Sequence, residues 1–314
     1  MRTARTQTVA LTGTTGHLVT VEADVAFGLP ATVLVGLPET ALREARDRIR
    51  AAIVNSGERW PDSKITVSLS PASLPKRGSA FDLAIAVAVM AANGDLPELP
   101  SNLLFLAELG LDGRLRPIPG VLPAVVTATG SGLDTVVVAT ANRGEASLVP
   151  GTRVVAADKL ADVVAWLRGG PAPQPELPEP ADGSDPARAR PLPDLADVLG
   201  QAEARLAAEI CAAGIGHNLS LLGPPEAGKT MLAERLPTIP PDLDTAAAIE
   251  VTSIHSVAGH LTPGSGLVTV PPFCAPHHTA SMAAIVGGGN GIIRPGAASL
   301  AHRGILFLDL TNCD

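Results

Sequence analysis

The chain contains no tyrosine, and its 314 residues include only five phenylalanines and two tryptophans. That scarcity excludes aromatic-rich cores and requires cores built from Ala, Val, Leu and Ile. Cysteine is nearly absent too: Cys211, Cys274 and Cys313 lack paired spacing, which excludes a disulfide framework and suggests a reducing compartment, the cytoplasm. No long apolar run occurs. The most apolar stretch, 83–92, is too short to span a bilayer and reads as a buried helix, and the N-terminus has no secretory h-region. Positive charge is in deficit, with a net charge of −8, so nucleic-acid contact requires a local basic patch rather than an overall field.

What is present is a chain long enough for two domains, with 46% hydrophobic residues. A Pro-rich stretch at 169–194 lacks apolar periodicity and reads as a tether between a domain over 1–168 and a second over 195–314. In the first, strands and helices alternate. Strands are expected at 8–11, 17–25, 32–35, 64–69, 103–109 and 135–138, and helices at 39–55, 81–92, 121–128 and 160–167. The helix at 39–55 sets Leu42, Ala45, Ile49, Ala52 and Ile53 on one face and Arg43, Arg46 and Arg50 on the other. Asn93 and Gly94 close the buried helix. In the second domain an Ala-rich helix at 201–213 precedes an apolar strand.

That strand runs into Gly223-Pro224-Pro225-Glu226-Ala227-Gly228-Lys229-Thr230, a G-x-x-x-x-G-K-T loop. Its glycines let successive N–H groups turn inward onto phosphate oxygens. Lys229 supplies charge for the β- and γ-phosphates, and Thr230 a hydroxyl for Mg²⁺. Residues 304–309 read as an apolar strand ending in Asp309, a Walker B-like acid and a second candidate metal ligand. ATP and Mg²⁺ are the expected cofactors.

Other residues have quieter readings. Cys274, His277 and His278 form C-x-x-H-H, but zinc normally takes four ligands, and the histidines are expected to shape a loop. The arginines at 43, 46 and 50, with Lys76 and Arg77, would make a basic patch. Glu44 and Asp47 between them favour a solvated face instead. Residues 287–291 read as a flexible glycine loop.

Several segments together resemble the magnesium-chelatase-like AAA+ ATPases of the YifB/ComM type. They are G-L-P-E-T-A-L-R-E-A-R-D-R-I-R-A-A-I (36–53), L-S-P-A-S-L-P-K-R-G-S-A-F-D-L-A-I-A (69–86), E-L-G-L-D-G-R-L-R-P-I-P-G (108–120), the phosphate loop, V-T-S-I-H-S-V-A-G (251–259), A-P-H-H-T-A-S (275–281) and R-P-G-A-A-S-L-A-H-R-G-I-L-F-L-D (294–309). The resemblance implies a Lon-protease-like α+β domain followed by a P-loop AAA+ α/β module. It implies hexameric rings and, for ComM-type members, ATP-driven branch migration of DNA. A chelatase ATPase subunit and a non-enzymatic interaction module are the alternatives. Against the Lon pattern P-K-D-G-P-S-A-G, Ala80 stands at the nucleophile, Ser79 one residue off, and the lysine's counterpart falls near Leu122. Protease chemistry is therefore not expected, and Ser79 reads as a helix cap.

Three departures bear on mechanism. Glu226 stands where the family has glycine, bringing a carboxylate to the cradle and a side chain to a backbone suited to positive φ. Leu310 replaces the glutamate that activates water, so hydrolysis should be lost or severely slowed. Residues 310–314 share nothing with the family's continuation, and the expectation is a truncated module without the fourth strand, sensors, arginine finger or lid.

Overall fold

The computed structural model describes residues 2–36, 39–76, 78–174, 193–213, 217–224, 226–262, 264–289 and 294–309. Two compact units divide the chain, one comprising 1–179 with 261–266 and the other 180–260 with 267–314. No helix among the described residues is long and apolar enough to cross a membrane.

The first unit is a seven-stranded mixed sheet carrying helices. Its strands are β1 (Arg2–Thr12), β2 (Thr15–Ala26), β3 (Ala31–Val35), β4 (Lys64–Ser70), β5 (Leu103–Leu106), β8 (Thr135–Ala139) and β9 (Arg153–Ala157), in the order β3-β4-β2-β1-β5-β8-β9. Two short strands, β6 (Glu108–Leu109) and β7 (Leu115–Arg116), pair apart from it. β1, β2 and β4 run antiparallel; β3 joins β4 in parallel, and β5, β8 and β9 extend the sheet in parallel from β1.

Alternation decides which face is buried where. On β2, Val19, Val21 and Ala23 are buried, and opposite them on β4 lie Leu69 and Val67 in register with Val21 and Ala23. Those side chains meet α1 (Glu39–Asn55), through Ala45, Ile49, Ala52 and Ile53, and α2 (Asp82–Asn93), which is buried along most of its length. In the parallel half the rows are continuous: Leu103–Leu106 and Thr135–Ala139 are buried throughout. Leu103, Phe105, Val137 and Ala139 join the core with α2, whereas Leu104, Leu106, Val136 and Val138 are buried outside that cluster. Both faces of this half are therefore covered. α3 (Val121–Gly130) packs on β1 and β2, so closely that a Cβ on Gly16 would overlap Thr127. α4 (Arg143–Ala146) and α5 (Leu160–Leu167) complete the unit.

The expected strand at 103–109 breaks at Ala107. Its carbonyl accepts from Leu83 N at 3.3 Å, so a first-turn donor of α2 takes the group that a continuous ladder would use. Ser79 is not the cap of that helix: Phe81 occupies the N-cap without a side-chain bond, and the Ser79 hydroxyl donates to the Glu108 carboxylate. Gly94 closes α2 in the left-handed region at φ 88°, where glycine meets no Cβ penalty.

Most of the regular structure described in the second unit is helical. It comprises α6 (Ala202–Ala213), α7 (Lys229–Ala233), α8 (Thr245–Ala258), α9 (Met282–Val286) and α10 (Ala297–Leu300), with a two-residue parallel pair of β10 (Phe273–Cys274) and β11 (Ile305–Leu306). Asp244 caps α8 by accepting from Ala247 N at 2.8 Å. A small cluster of Leu195, Val198, Ala208 and Leu232 holds α6 against α7. The strand expected before the phosphate loop does not form. Among the described residues, 217–224 pair with no ladder; Leu221 packs on the cluster and Leu222 is 94% exposed. Strand geometry is held by cross-strand bonds, and no neighbour here supplies them. The strand expected at 304–309 shortens to β11 for the same reason, since among the described residues only β10 pairs with it.

Candidate functional site

The site is a loop between unpaired chain and a short helix. Ala227 N donates to Pro224 O at 3.3 Å, closing a tight turn, and Gly228, at φ 82°, forms the N-cap of α7. Glu226 sits at φ 65°, left-handed backbone in which a side chain is strained. The loop thus adopts at position 226 a conformation suited to glycine although the sequence supplies glutamate. Pro225 lies outside the described residues.

The lysine is tied to this curl. Lys229 Nζ donates to Gly223 O at 2.9 Å and to Pro224 O at 2.8 Å, so its ammonium is held against the turn by two solvent-exposed bonds. Thr230, the next residue, is exposed, with its carbonyl already used by Glu234 N. Gly223 and Ala227 are exposed as well, leaving the outer rim of the loop open.

Gln201 belongs to the site although sequence reading placed it inside a helix. α6 begins at Ala202, and Gln201 precedes it with φ 50°, after Gly200 at φ 73°. Its side-chain amide donates to Ala227 O at 3.3 Å. A Cβ on Gly228 would come within 3.1 Å of that amide and 3.2 Å of the Met231 methyl, so these two flexible side chains would have to give slightly, and it is the φ that calls for glycine. The Gly-Gln pair ahead of the helix was the available signal, as left-handed glycine commonly marks a turn.

Residues 223, 224 and 226–230 are therefore brought together by one continuous segment. Asp309, half-buried, follows β11, which pairs with β10 and not with the chain entering the loop. Leu310 lies outside the described residues.

The remaining candidates separate. Lys76 is no part of a basic surface: it is 2% exposed and donates to the carbonyls of Pro71 and Leu74, and burial lowers its pKa. Arg77 lies outside the described residues. Arg46 pairs with the adjacent Asp47 at 3.0 Å. Leu122 is buried, with its N–H on Glu145 at 2.7 Å. His277 bonds Thr279, and its ring lies 4.1 Å from that of His278; burial raises the Cys274 pKa. No group of three His, Cys, Asp or Glu side chains suited to a metal occurs among the described residues. The expected flexible loop at 287–291 is tied at one point, where Gly288 and Arg294 exchange backbone bonds of 3.1 Å; 290 and 291 lie outside the described residues.

Unforeseen from sequence is a buried pair at the start of α2. Arg48 grips Asp82 through two bonds of 2.6 and 3.0 Å, and Leu109 N also donates to Asp82. Burial nevertheless pushes the carboxyl up to about 6, against the pull of the guanidinium.

Comparison with known proteins gives these features a class. Residues 194–312 match the family model described as magnesium chelatase, subunit ChlI, and residues 21–142 match that of subunit ChlI of Mg-chelatase. An uncharacterized protein of Mycobacterium tuberculosis is 51% identical over 310 residues, 98% of this chain and 60% of the relative. The YifB protein of Escherichia coli is 44% identical over 306 residues, covering 96% of this chain and 58% of that one. The competence protein ComM of Haemophilus influenzae is 42% identical over 302 residues, covering 95% and 58%. The chain belongs to the YifB/ComM-type magnesium-chelatase-like family. It spans about 60% of the length of the curated relatives it matches.

Proposed function

We infer that residues 223–230 bind the phosphates of ATP together with Mg²⁺, as the family's general use of nucleotide and magnesium suggests. The observation that carries this reading is the position of Lys229: two carbonyls hold its ammonium against a turn shaped by left-handed Glu226 and Gly228. Carbonyl oxygens are weak partners for an ammonium, and phosphate oxygens entering the turn would take it over. Thr230 and Asp309 would hold Mg²⁺, whose role is to neutralise phosphate charge. Gln201 keeps Ala227 O, and hence the turn, in place. With Leu310 at the position of the water-activating acid, binding without efficient hydrolysis is the expected behaviour.

The first unit is read as a Lon-like domain without protease chemistry, since the Ser79 hydroxyl meets a carboxylate and the nearby Lys76 is committed to carbonyls. Across the length of the relatives, the proposed role is an ATP-driven motor acting on DNA, a reading supported by the competence-protein name of one relative. A chelatase ATPase subunit is the second reading, supported by the descriptions of both family models. Porphyrin-dependent ATP turnover with a chelatase partner would favour it.

The deciding experiment is a fluorescent-ATP titration with Mg²⁺ on the chain and on Lys229→Ala. Saturable binding that the variant loses is the expected result. Absence of binding in both would remove the nucleotide reading.

A further inference from the structure

The second unit contains a strap that lies along α7. Its described part begins at Pro193, at the end of the Pro-rich stretch read as a tether, and runs to Gln201 at the start of α6. One 3-10 turn, Leu195–Asp197, is capped by Asp194, which accepts from Ala196 N at 2.8 Å. Leu195 and Val198 are buried in the cluster that includes Leu232 of α7. Just beyond the far end of α7, Arg235 donates to Asp194 O at 3.1 Å and to Met231 O at 2.9 Å. At the near end the Gln201 amide donates to Ala227 O at 3.3 Å. Strap and phosphate loop thus meet at one side chain.

That side chain sits on strained backbone. Gln201 has φ 50°, in the left-handed region that opposes a β-carbon, and Gly200 before it has φ 73°. Leu199, Gly200 and Gln201 are exposed, so core packing does not impose this turn. The bond to Ala227 O is what compensates the strain. Strain of this kind collects at ligand clamps and switch segments.

Peptide geometry states what the bond does. In a trans peptide the C=O and the following N–H point in opposite directions. By gripping Ala227 O, Gln201 turns the Gly228 N–H away from the strap, and that N–H has no acceptor among the described residues. A phosphate oxygen accepting from it makes Ala227 O a better acceptor, because linked hydrogen bonds polarise one another. Phosphate and Gln201 then strengthen each other across one peptide unit, and the effect is reciprocal.

We propose that Gln201 is the latch of this strap and a positioning residue for the loop: nucleotide phosphate at Gly228 N–H tightens the latch, and the tightened latch holds the entry of the tether on α7. The proposal rests on the nucleotide reading of 223–230 and adds a route by which occupancy reaches the tether. A small apolar cluster and a few exposed bonds hold the strap, so its opening is local.

The test is hydrogen exchange of the full chain, read by mass spectrometry with and without Mg²⁺ and ATP, beside the fluorescent-ATP titration. Backbone amides of 194–201 are expected to exchange about threefold more slowly with nucleotide, while those of α2 in the first unit stay unchanged. Gln201→Met keeps the side chain's length and removes its donor. It should weaken nucleotide binding about threefold and abolish the slowing at saturating nucleotide. Gln201→Gly also lacks the donor but relieves the strain, and should lose the slowing likewise. Saturable binding with unchanged exchange at 194–201, or slowing that survives both substitutions, would overturn the latch and leave the nucleotide reading standing. No saturable binding in the titration would remove both.

Discussion

Glu226 offers a direct trial of the loop reading, because two substitutions separate its backbone effect from its charge. Its φ of 65° places a β-carbon where left-handed backbone costs about 1–2 kcal/mol. Glu226→Gly relieves that strain but adds unfolded-state freedom worth about 0.4–1 kcal/mol, leaving a net stabilisation of about 0.5–1 kcal/mol. For a unit of this size the shift in melting temperature is a few degrees upward, about 2–5 °C. Glu226→Gln keeps the β-carbon and should leave the melting temperature where it is. Binding responds differently. Both substitutions remove an exposed carboxylate from the rim of the proposed phosphate cradle, and a solvent-screened like charge at this range is worth about 0.5–1 kcal/mol. Both variants should therefore bind fluorescent ATP about two- to fivefold more tightly at low salt. The difference should shrink in about 1 M salt, where the Debye length falls to about 3 Å. Differential scanning calorimetry and the titration read the two effects separately. A destabilised Glu226→Gly would refute the strain argument, and unchanged affinity in both variants would show that the carboxylate faces away from the ligand.

Two further predictions concern buried charge in the first unit. Arg48→Ala strands Asp82, which is 1% exposed, and should cost about 3 kcal/mol at pH 8, read by urea unfolding. Asp82's folded value of about 6 lies above its ordinary range near 3.9, so the folded chain holds this proton more tightly. The carboxyl therefore favours folding at low pH, and that contribution fades as pH rises through 6. Removing Arg48 raises the value further, so the penalty should be smaller at pH 5 than at pH 8; a pH-independent penalty would refute the assignment. Lys76→Met leaves the Pro71 and Leu74 carbonyls without their donor, at an expected cost of about 1–3 kcal/mol. In the native chain an amine-acetylating reagent should modify exposed Lys64 and Lys159 well before Lys76, as peptide mass mapping would report.

What was legible beforehand was what short-range periodicity and chemistry encode. The helices at 39–55 and 160–167 have the bounds their apolar spacing gave, and Gly94 closes α2 because Asn-Gly after a helical run favours left-handed backbone. The family was legible for a related reason: its motifs are contiguous in sequence. Harder cases depended on partners distant in the chain. The run 103–109 carries strand chemistry throughout, yet Ala107 gives its carbonyl to α2. Residues 219–222 are apolar enough for a strand but pair with no strand among the described residues. β9 (Arg153–Ala157) and α8 (Thr245–Ala258) were not foreseen. Its buried Thr252 and Ser253 interrupt the apolar stripe of α8; their hydroxyls bond back to Ala248 O and Ile249 O, so a polar pattern on paper is a packed face in the structure.

By itself the sequence determined the mixed α/β class, the family and the segment proposed to bind phosphate, because Gly, Lys and Thr at fixed spacing act through local backbone. Tertiary structure decided which charges are available. Within α1 it sent Arg48 inward to Asp82 while Arg50 stayed exposed, and it buried Lys76 among carbonyls although sequence placed it with the surface cations. Composition cannot rank equivalent cations, because what separates them is desolvation and the partner that folding brings within 3 Å.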